Sequence, residues 1–237
     1  MKFFKAAAGV VGLLVAMTSA APLERRAVIA HDAVVGFPET VPSGNLGRIY
    51  LKYKPYLKVV NGCVPYPAVD AEGNTSGGLS PSGSPEGKCS SSTGQVYARA
   101  EAYNGAYAIM YSWYMPKDSP SSGIGHRHDW EGIVVWIDDP NKDEPTILGA
   151  AASGHGKFDA ETDPPLQGTN PLIRYYSTWP IDHQLGFTSD VGGQQPLIAW
   201  ESLTDAARDA LQNTDFGAAN VPFKDSNFES NLVKAEL

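Results

Sequence analysis

Ala106-Tyr107-Ala108-Ile109-Met110-Tyr111-Ser112-Trp113-Tyr114-Met115 puts Tyr107, Ile109, Tyr111, Trp113 and Met115 on one face of a period-two pattern, with small residues dominating the other. Such a segment reads as a β-strand packed on both sides. Pro116 is expected to close it, because proline has no N–H to give to a ladder. After a flexible Ser/Gly connection over 119–125, a second strand is expected from about Glu131 through Ile133-Val134-Val135-Trp136-Ile137. The turn-rich stretch 138–145 then leads to a third strand near 146–152, which makes a long-looped antiparallel hairpin. Apolar runs at 172–176 and 197–200 add strand candidates. Leu203, Ala206, Ala207, Ala210 and Leu211 recur at helical spacing behind Ser202, a candidate cap, with Gly217 past the end. Many strands with few helices favour a mainly β, single-domain β-sandwich with flanking helices over an alternating α/β sheet.

The 237-residue chain begins with Lys2 and Lys5, an apolar run over 6–16, and the small residues Ser19, Ala20 and Ala21. This is the layout of a secretory signal peptide, assigned to residues 1–21. The apolar run falls short of the ~20 residues that cross a bilayer. Leu23-Glu24-Arg25-Arg26 ends in a dibasic pair, so residues 22–26 read as a short pro-segment and 27–237 as one domain. Loss of Lys2, Lys5, Glu24, Arg25 and Arg26 takes the formal net charge from −8 to −11. A chain this acidic is repelled by nucleic acid and by anionic lipid. The mature chain has no later apolar run of spanning length, so it is expected to lack a transmembrane segment and to be a soluble monomer that reaches membranes only through a surface site.

Cys63 and Cys89 are the only cysteines, and in an oxidising secretory setting one disulfide is the economical assignment. The enclosed stretch is rich in Gly, Ser and Pro and carries the N-glycosylation sequon Asn74-Thr75-Ser76.

Between Pro116 and Glu131 the chain gathers Lys117, Asp118, His126, Arg127, His128, Asp129 and Glu131. In a strict strand Asp129 and Glu131 would face one way, His126 and His128 the other. They share a site only if the strand begins near Asp129 and a preceding turn carries His126 around. Three carboxylates without a nearby thiolate favour Mg²⁺, Ca²⁺ or Mn²⁺ over zinc. The spacing alone fits a solvated polar loop with surface ion pairs equally well.

The stretch Ala108-Ile109-Met110-Tyr111-Ser112-Trp113-Tyr114-Met115-Pro116-Lys117-Asp118-Ser119-Pro120, followed by Gly125-His126-Arg127-His128-Asp129-Trp130-Glu131, resembles the central signature of the necrosis- and ethylene-inducing-peptide-like proteins. The segments Asp32-Ala33-Val34-Val35-Gly36-Phe37, Gly154-His155-Gly156 and Trp179-Pro180-Ile181-Asp182-His183 are similar as well, so the resemblance covers the mature chain. It implies a β-sandwich actinoporin-like in shape, secreted to the extracellular space by plant-associated microbes. Such proteins lyse plant plasma membranes bearing glycosylated inositol phosphoceramides, a class of glycosylated sphingolipid. Asp118 and Asp129 would ligate a divalent cation, most naturally Mg²⁺ or Ca²⁺, with His126 and Glu131 helping directly or through water. His155 would shape the cavity wall, Trp179 would enter the lipid interface and Asp182 would bind the terminal sugar. Tryptophan suits that interface, because its ring is largely apolar while its N–H stays wet. The same resemblance implies perception by plant immune receptors through Ala108 to Glu131.

Two other readings stay open. Paired carboxylates with histidine also build acid/base hydrolases acting on glycans. No nucleophile elbow or His-Glu-x-x-His helix occurs, so the expectation is that the protein is not an enzyme. The other reading is a non-lytic, immune-eliciting protein of the same fold.

Overall fold

The computed structural model describes Met1 and residues 26–237. The signal-peptide assignment and most of the pro-segment therefore lie outside the described residues. Arg26, the last residue of the proposed pro-segment, pairs with Asp209.

The strands in chain order are β1 (Val28–Ile29), β2 (Tyr56–Val59), β3 (Thr75–Ser76), β4 (Val96–Tyr103), β5 (Ala106–Ser121), β6 (Ile124–Ile137), β7 (Ile147–Gly154), β8 (Lys157–Glu161), β9 (Leu166–Gln167), β10 (Asn170–Tyr176), β11 (Gln184–Phe187) and β12 (Leu197–Ala199). Helices α1 (Asn45–Lys52), α2 (Asp205–Asn213) and α3 (Phe228–Lys234) flank them. One sheet runs β12-β4-β5-β6-β7-β8, antiparallel except for the β12–β4 pair. A second, smaller sheet runs β11-β10-β2, with β9 on the end of β10. Its strand β11 lies against β6 and β7. Among the described residues no helix is long and apolar enough to cross a membrane.

The double burial expected of β5 follows from what covers each face. On one side the Tyr111 hydroxyl donates to the Tyr50 carbonyl of α1. On the other, Tyr114 and Trp130 pack against Phe216 beyond α2, and the Trp136 indole donates to the Ala235 carbonyl just past α3. Every residue from Ala108 to Met115 is buried. The antiparallel β6–β7 hairpin forms as expected.

Three expectations are corrected. Pro116 does not end β5, which runs on to Ser121, and β6 starts at Ile124, seven residues before Glu131. The stretch read as a flexible connection is thus mostly ladder, closed by Ser122-Gly123. Pro116 is tolerated because it has no cross-strand partner. Its carbonyl instead accepts from the Leu79 N–H at 2.7 Å, while Lys117 stands opposite both Arg127 and His128. Finally, α2 is capped by Thr204, whose side chain accepts from the Ala207 N–H. Ser202 sits in a short 3-10 turn before it. Thr204 has the extended backbone a cap requires, and it immediately precedes the first helical residue.

Cys63 and Cys89 are joined. The loop they enclose is also held by Lys117, whose buried ammonium donates to the carbonyls of Ser82 and Ser84 at 3.2 and 2.9 Å. Burial pushes this lysine below its ordinary pKa. Asn74 is half-buried in a tight turn. Its Nδ2 donates to Asp70, and its Oδ1 accepts from the Ala27 N–H. With so little regular structure in the loop, Cys63→Ser is expected to lower unfolding free energy by about 3–4 kcal/mol, through the entropy the open loop regains on unfolding. Denaturant unfolding of the two proteins measures it, and an unchanged midpoint would show that Lys117 and its carbonyls suffice.

Candidate metal centre

The hairpin β5–β6 pairs regularly from Tyr107 opposite Ile137 to Met115 opposite Asp129, and Asp118 then stands opposite His126. Between these stretches lies the irregularity at Pro116-Lys117 and Arg127-His128, where His128 takes a left-handed φ of 61°. Both strands turn over there together. Asp118 and His126, which strict alternation would face away from Asp129, join it on one side. The requirement that β6 begin near Asp129 is therefore wrong, since an internal irregularity reverses the alternation just as a strand start would. Gly125 lets the strands close at this point. A Cβ there would come within 2.3 Å of the Asp118 carbonyl oxygen, and its φ is 98°.

The carboxylates are buried, which removes the reading of a solvated ion-pair loop. Asp118, Asp129 and Glu131 are 1%, 5% and 7% exposed. Each is oriented by a neighbour. Asp118 accepts from both the backbone N–H and the ring Nδ1 of His183, the latter at 2.6 Å. Asp129 accepts from the Tyr175 hydroxyl at 2.7 Å, and that ring stacks on His183 with centroids 4.7 Å apart. Glu131 accepts from the Ser153 hydroxyl, which in turn accepts from the Gly132 N–H.

His126 Nδ1 lies 2.7 Å from the His128 carbonyl. A carbonyl only accepts, so in the neutral ring Nδ1 carries the proton and Nε2 keeps a free lone pair. One donor atom each from Asp118, His126 and Asp129 lies within 4.8 Å of the others. Two oriented carboxylates and an imidazole with a free nitrogen are a donor set that fits a divalent cation. Glu131 stands outside this trio but lines the same cavity of about 460 Å³, as do His155 and Asp182. His155 is placed by the two-residue turn His155-Gly156 between β7 and β8, with φ of 51° and 75°. Lys117, Arg127 and His128 turn away. Arg127 donates to the Gly77 carbonyl, and His128 meets the Tyr114 hydroxyl.

His183, Tyr175 and Ser153 were missed from the sequence. His183 stood within Trp179-Pro180-Ile181-Asp182-His183, and its presence beside Asp182 was the one available signal. The loop it follows is open to solvent, with Trp179 70% exposed and Ile181 also exposed, so Trp179 is not a core residue.

Burial, then the charge of Asp118, pushes Asp129 up to about 7. Burial, then Asp129, pushes Glu131 well above its ordinary range. Burial works against the His126 cation, but the His128 carbonyl and the carboxylates of Asp129, Asp118 and Asp182 outweigh it and raise its pKa. Burial, with the charges of Arg127 and His126, holds His128 down to about 4.

These shifts act on stability with different signs. A carboxyl raised from about 4 to about 7 binds more proton when folded, so without metal the folded state loses stability as pH rises through that window. His126 acts in the same direction above its unfolded pKa. His128 acts oppositely, gaining stability as pH rises from about 4 to about 6.5. Comparison with Asp129→Asn, which keeps an acceptor for Tyr175, isolates one group. The melting temperature of the metal-free variant should rise relative to that of the metal-free native chain as pH goes from 4 to 7, by the equivalent of a few kcal/mol. Parallel melting curves would remove the buried repulsion from the account.

The sequence profile of the family described as necrosis inducing protein (NPP1) matches residues 47–235. NLP effector protein 10 of Phytophthora capsici is 54% identical over 216 residues, covering 89% of this chain and 92% of the relative. Two solved structures are also similar. NLPPya in complex with mannosamine has a TM-score of 0.85 at 54% identity, covering 89% of this chain and 100% of that one. The crystal structure of non-toxic HaNLP3 protein has a TM-score of 0.83 at 46% identity, covering 87% and 98%.

Proposed function

The chain belongs to the necrosis inducing protein (NPP1) family, and from that membership we propose that it is a secreted effector that is not an enzyme. In this reading it binds the sugar headgroup of plant glycosylated inositol phosphoceramides and permeabilises the plasma membrane. The observation that carries the proposal is the convergence of Asp118, His126 and Asp129 at the floor of a cavity beside the exposed Trp179 loop. A relative of the same fold binds an amino sugar.

Asp118, His126 and Asp129 would hold Mg²⁺ or Ca²⁺, with Glu131 acting through bound water because it stands outside the trio of converging donor atoms. The ion would supply a fixed positive centre to which sugar hydroxyls align. The chain's own residues do the rest. His183 and Tyr175 fix the carboxylates before any ligand arrives. Asp182, half-buried at the rim, accepts from a hydroxyl or amine of the sugar. Trp179, whose ring meets solvent, enters the lipid interface once the headgroup is seated.

The non-lytic reading has one specific support, since a relative described as non-toxic has nearly the same fold. Perception by immune receptors through Ala108 to Glu131 would then need a released peptide. Ala108 to Pro120 and His128 to Glu131 are buried in the folded chain.

Dye-filled vesicles separate the readings. Leakage is expected only when the glycosylated sphingolipid and a divalent ion are both present, and chelator should stop it. Trp179→Ala should keep ion binding and unfold within about 0.5 kcal/mol of the native chain while losing leakage. Asp129→Ala should lose both ion binding and leakage. Headgroup binding without leakage would establish the non-lytic reading, and turnover of the glycan would establish a hydrolase.

A further inference from the structure

Arg26 is exposed and follows a second arginine in the sequence, while its neighbour Ala27 is already held by its backbone. The Ala27 carbonyl accepts from the Thr75 N–H at 2.9 Å, and β1 then runs parallel to β3, with Val28 and Ile29 beside Thr75 and Ser76. The Gly77 N–H closes the pairing on the Ile29 carbonyl at 2.7 Å. Backbone pairing is thus in place at the residue that directly follows the dibasic pair.

A built acceptor meets the Ala27 nitrogen. Asn74 Oδ1 lies 3.0 Å from it. Asp70, which is buried, takes Asn74 Nδ2 at 2.9 Å on one carboxylate oxygen and the N–H groups of Asn74 and Glu72 on the other. A carboxylate only accepts, so Nδ2 must face Asp70 and Oδ1 must face Ala27. The turn that carries both residues is seated on α2. The Thr204 hydroxyl donates to the Ala71 carbonyl, and a Cβ added at Gly73 would come within 2.7 Å of the Ala206 carbonyl oxygen. An amide N–H at the surface is satisfied by water alone. A fixed carboxamide backed by a buried carboxylate suits a donor with more protons and a positive charge.

The charges around the Arg26–Ala27 bond point the same way. Arg26 lies against the same turn, where the added Cβ at Gly73 would also meet its Cδ at 3.1 Å, and its guanidinium pairs with Asp209 of α2. Removal of Arg26 leaves Asp209, and Asp70 behind Asn74, with one cation fewer. A free amine at Ala27, protonated at neutral pH, supplies a cation again at the next residue.

We infer that the Arg26–Ala27 bond is a processing site for an endoprotease specific for paired basic residues, and that Asn74, backed by Asp70, is the docking site of the ammonium it releases. Hydrolysis adds one water. Its hydroxyl goes to the Arg26 carbonyl carbon and one proton to the Ala27 nitrogen, and the acid proton of the new carboxyl passes to that amine, leaving a carboxylate and an ammonium. Because β1 is only two residues long, fraying of this one strand presents the bond. The docked strand matters beyond the terminus, since the Tyr114 hydroxyl lies between Ser76 of β3 and His128 in the irregularity beside the metal centre.

Two measurements test the inference. In the first, the full chain is secreted from a eukaryotic host with and without its dibasic-specific protease, and the first residue is read by mass spectrometry. Ala27 is expected first when the protease is present, and an earlier residue when it is absent or in Arg25→Gln, which keeps Arg26 and its pair with Asp209. The same first residue in both hosts overturns the processing site. In the second, the protein that begins at Ala27 is melted before and after acetylation of its α-amine, which keeps an N–H for Asn74 and removes the charge. The free amine should melt about 2–4 °C higher, and the difference should vanish in Asn74→Ala. Equal melting of the two forms refutes the docking site, as does a difference that persists in Asn74→Ala. Should that variant fail to fold, the acetylated and free forms of the native sequence decide alone.

Discussion

Asp118 and Asp129 are buried with donor oxygens less than 5 Å apart, and much of the local structure answers that repulsion. Two unit charges at this separation oppose each other by about 3–4 kcal/mol at an effective dielectric of ~20. The fold meets this with donors aimed at each carboxylate. Two run from His183 to Asp118 and one from Tyr175 to Asp129, while Ser153 serves Glu131 beside them. Protonation or a cation must supply the remainder, and the pKa of Asp129, raised first by burial and then by the charge of Asp118, reports the same site from the proton's side. A cation then binds to a site already shaped for it, because the carboxylates need not reorganise.

The strands of the large sheet were legible where one rule governed them. In 106–115 β-propensity, alternation and length agree, in 131–137 β-propensity and length agree across a continuous apolar run, and both segments are strands. Recognition of the family by its central motif covered the overall architecture. The helices α1 and α3 and the strands β2, β4, β8 and β11 gave no signal strong enough to place. Most are short, and tertiary packing decides them, as when Arg99 in β4 lies against Trp200 and Phe228 from distant parts of the chain.

Local rules failed at the site itself. Proline ends most strands, and strict alternation separates Asp118 and His126 from Asp129, so reading each rule in turn breaks β5 at Pro116 and starts β6 too late. The chain keeps both strands and spends the exception on one irregularity, with an unpaired proline on one side and a left-handed histidine on the other. Local rules broken where function sits are what a strained, built site produces. The ligands were nameable because they cluster within 14 residues, Asp118 to Glu131. Their supporting residues, Tyr175 and His183, lie some fifty residues further on, and only the folded pairing of β10 and β11 against β6 brings them in.

The pairing of Asp118 with His183 also links two parts that the sequence keeps far apart. His183 directly follows the exposed Trp179–Asp182 loop, and both its backbone and its ring are fixed on Asp118. The opposite wall is Gly62, where any Cβ would lie 2.4 Å from the His183 ring, so the ring has one place to sit. The loop above is tied down a second time where Asn61 exchanges hydrogen bonds with the Ser177 backbone. Asp118 therefore serves both as a candidate ligand and as the anchor of the loop meant to meet the membrane. Replacing it removes two functions together and cannot separate ion binding from loop position. Asp129 touches the loop only through Tyr175 and the stacked ring of His183. A substitution there removes a ligand while the anchor to Asp118 stays, so Asp129 is the residue at which the chemistry of the ion can be read without moving the loop.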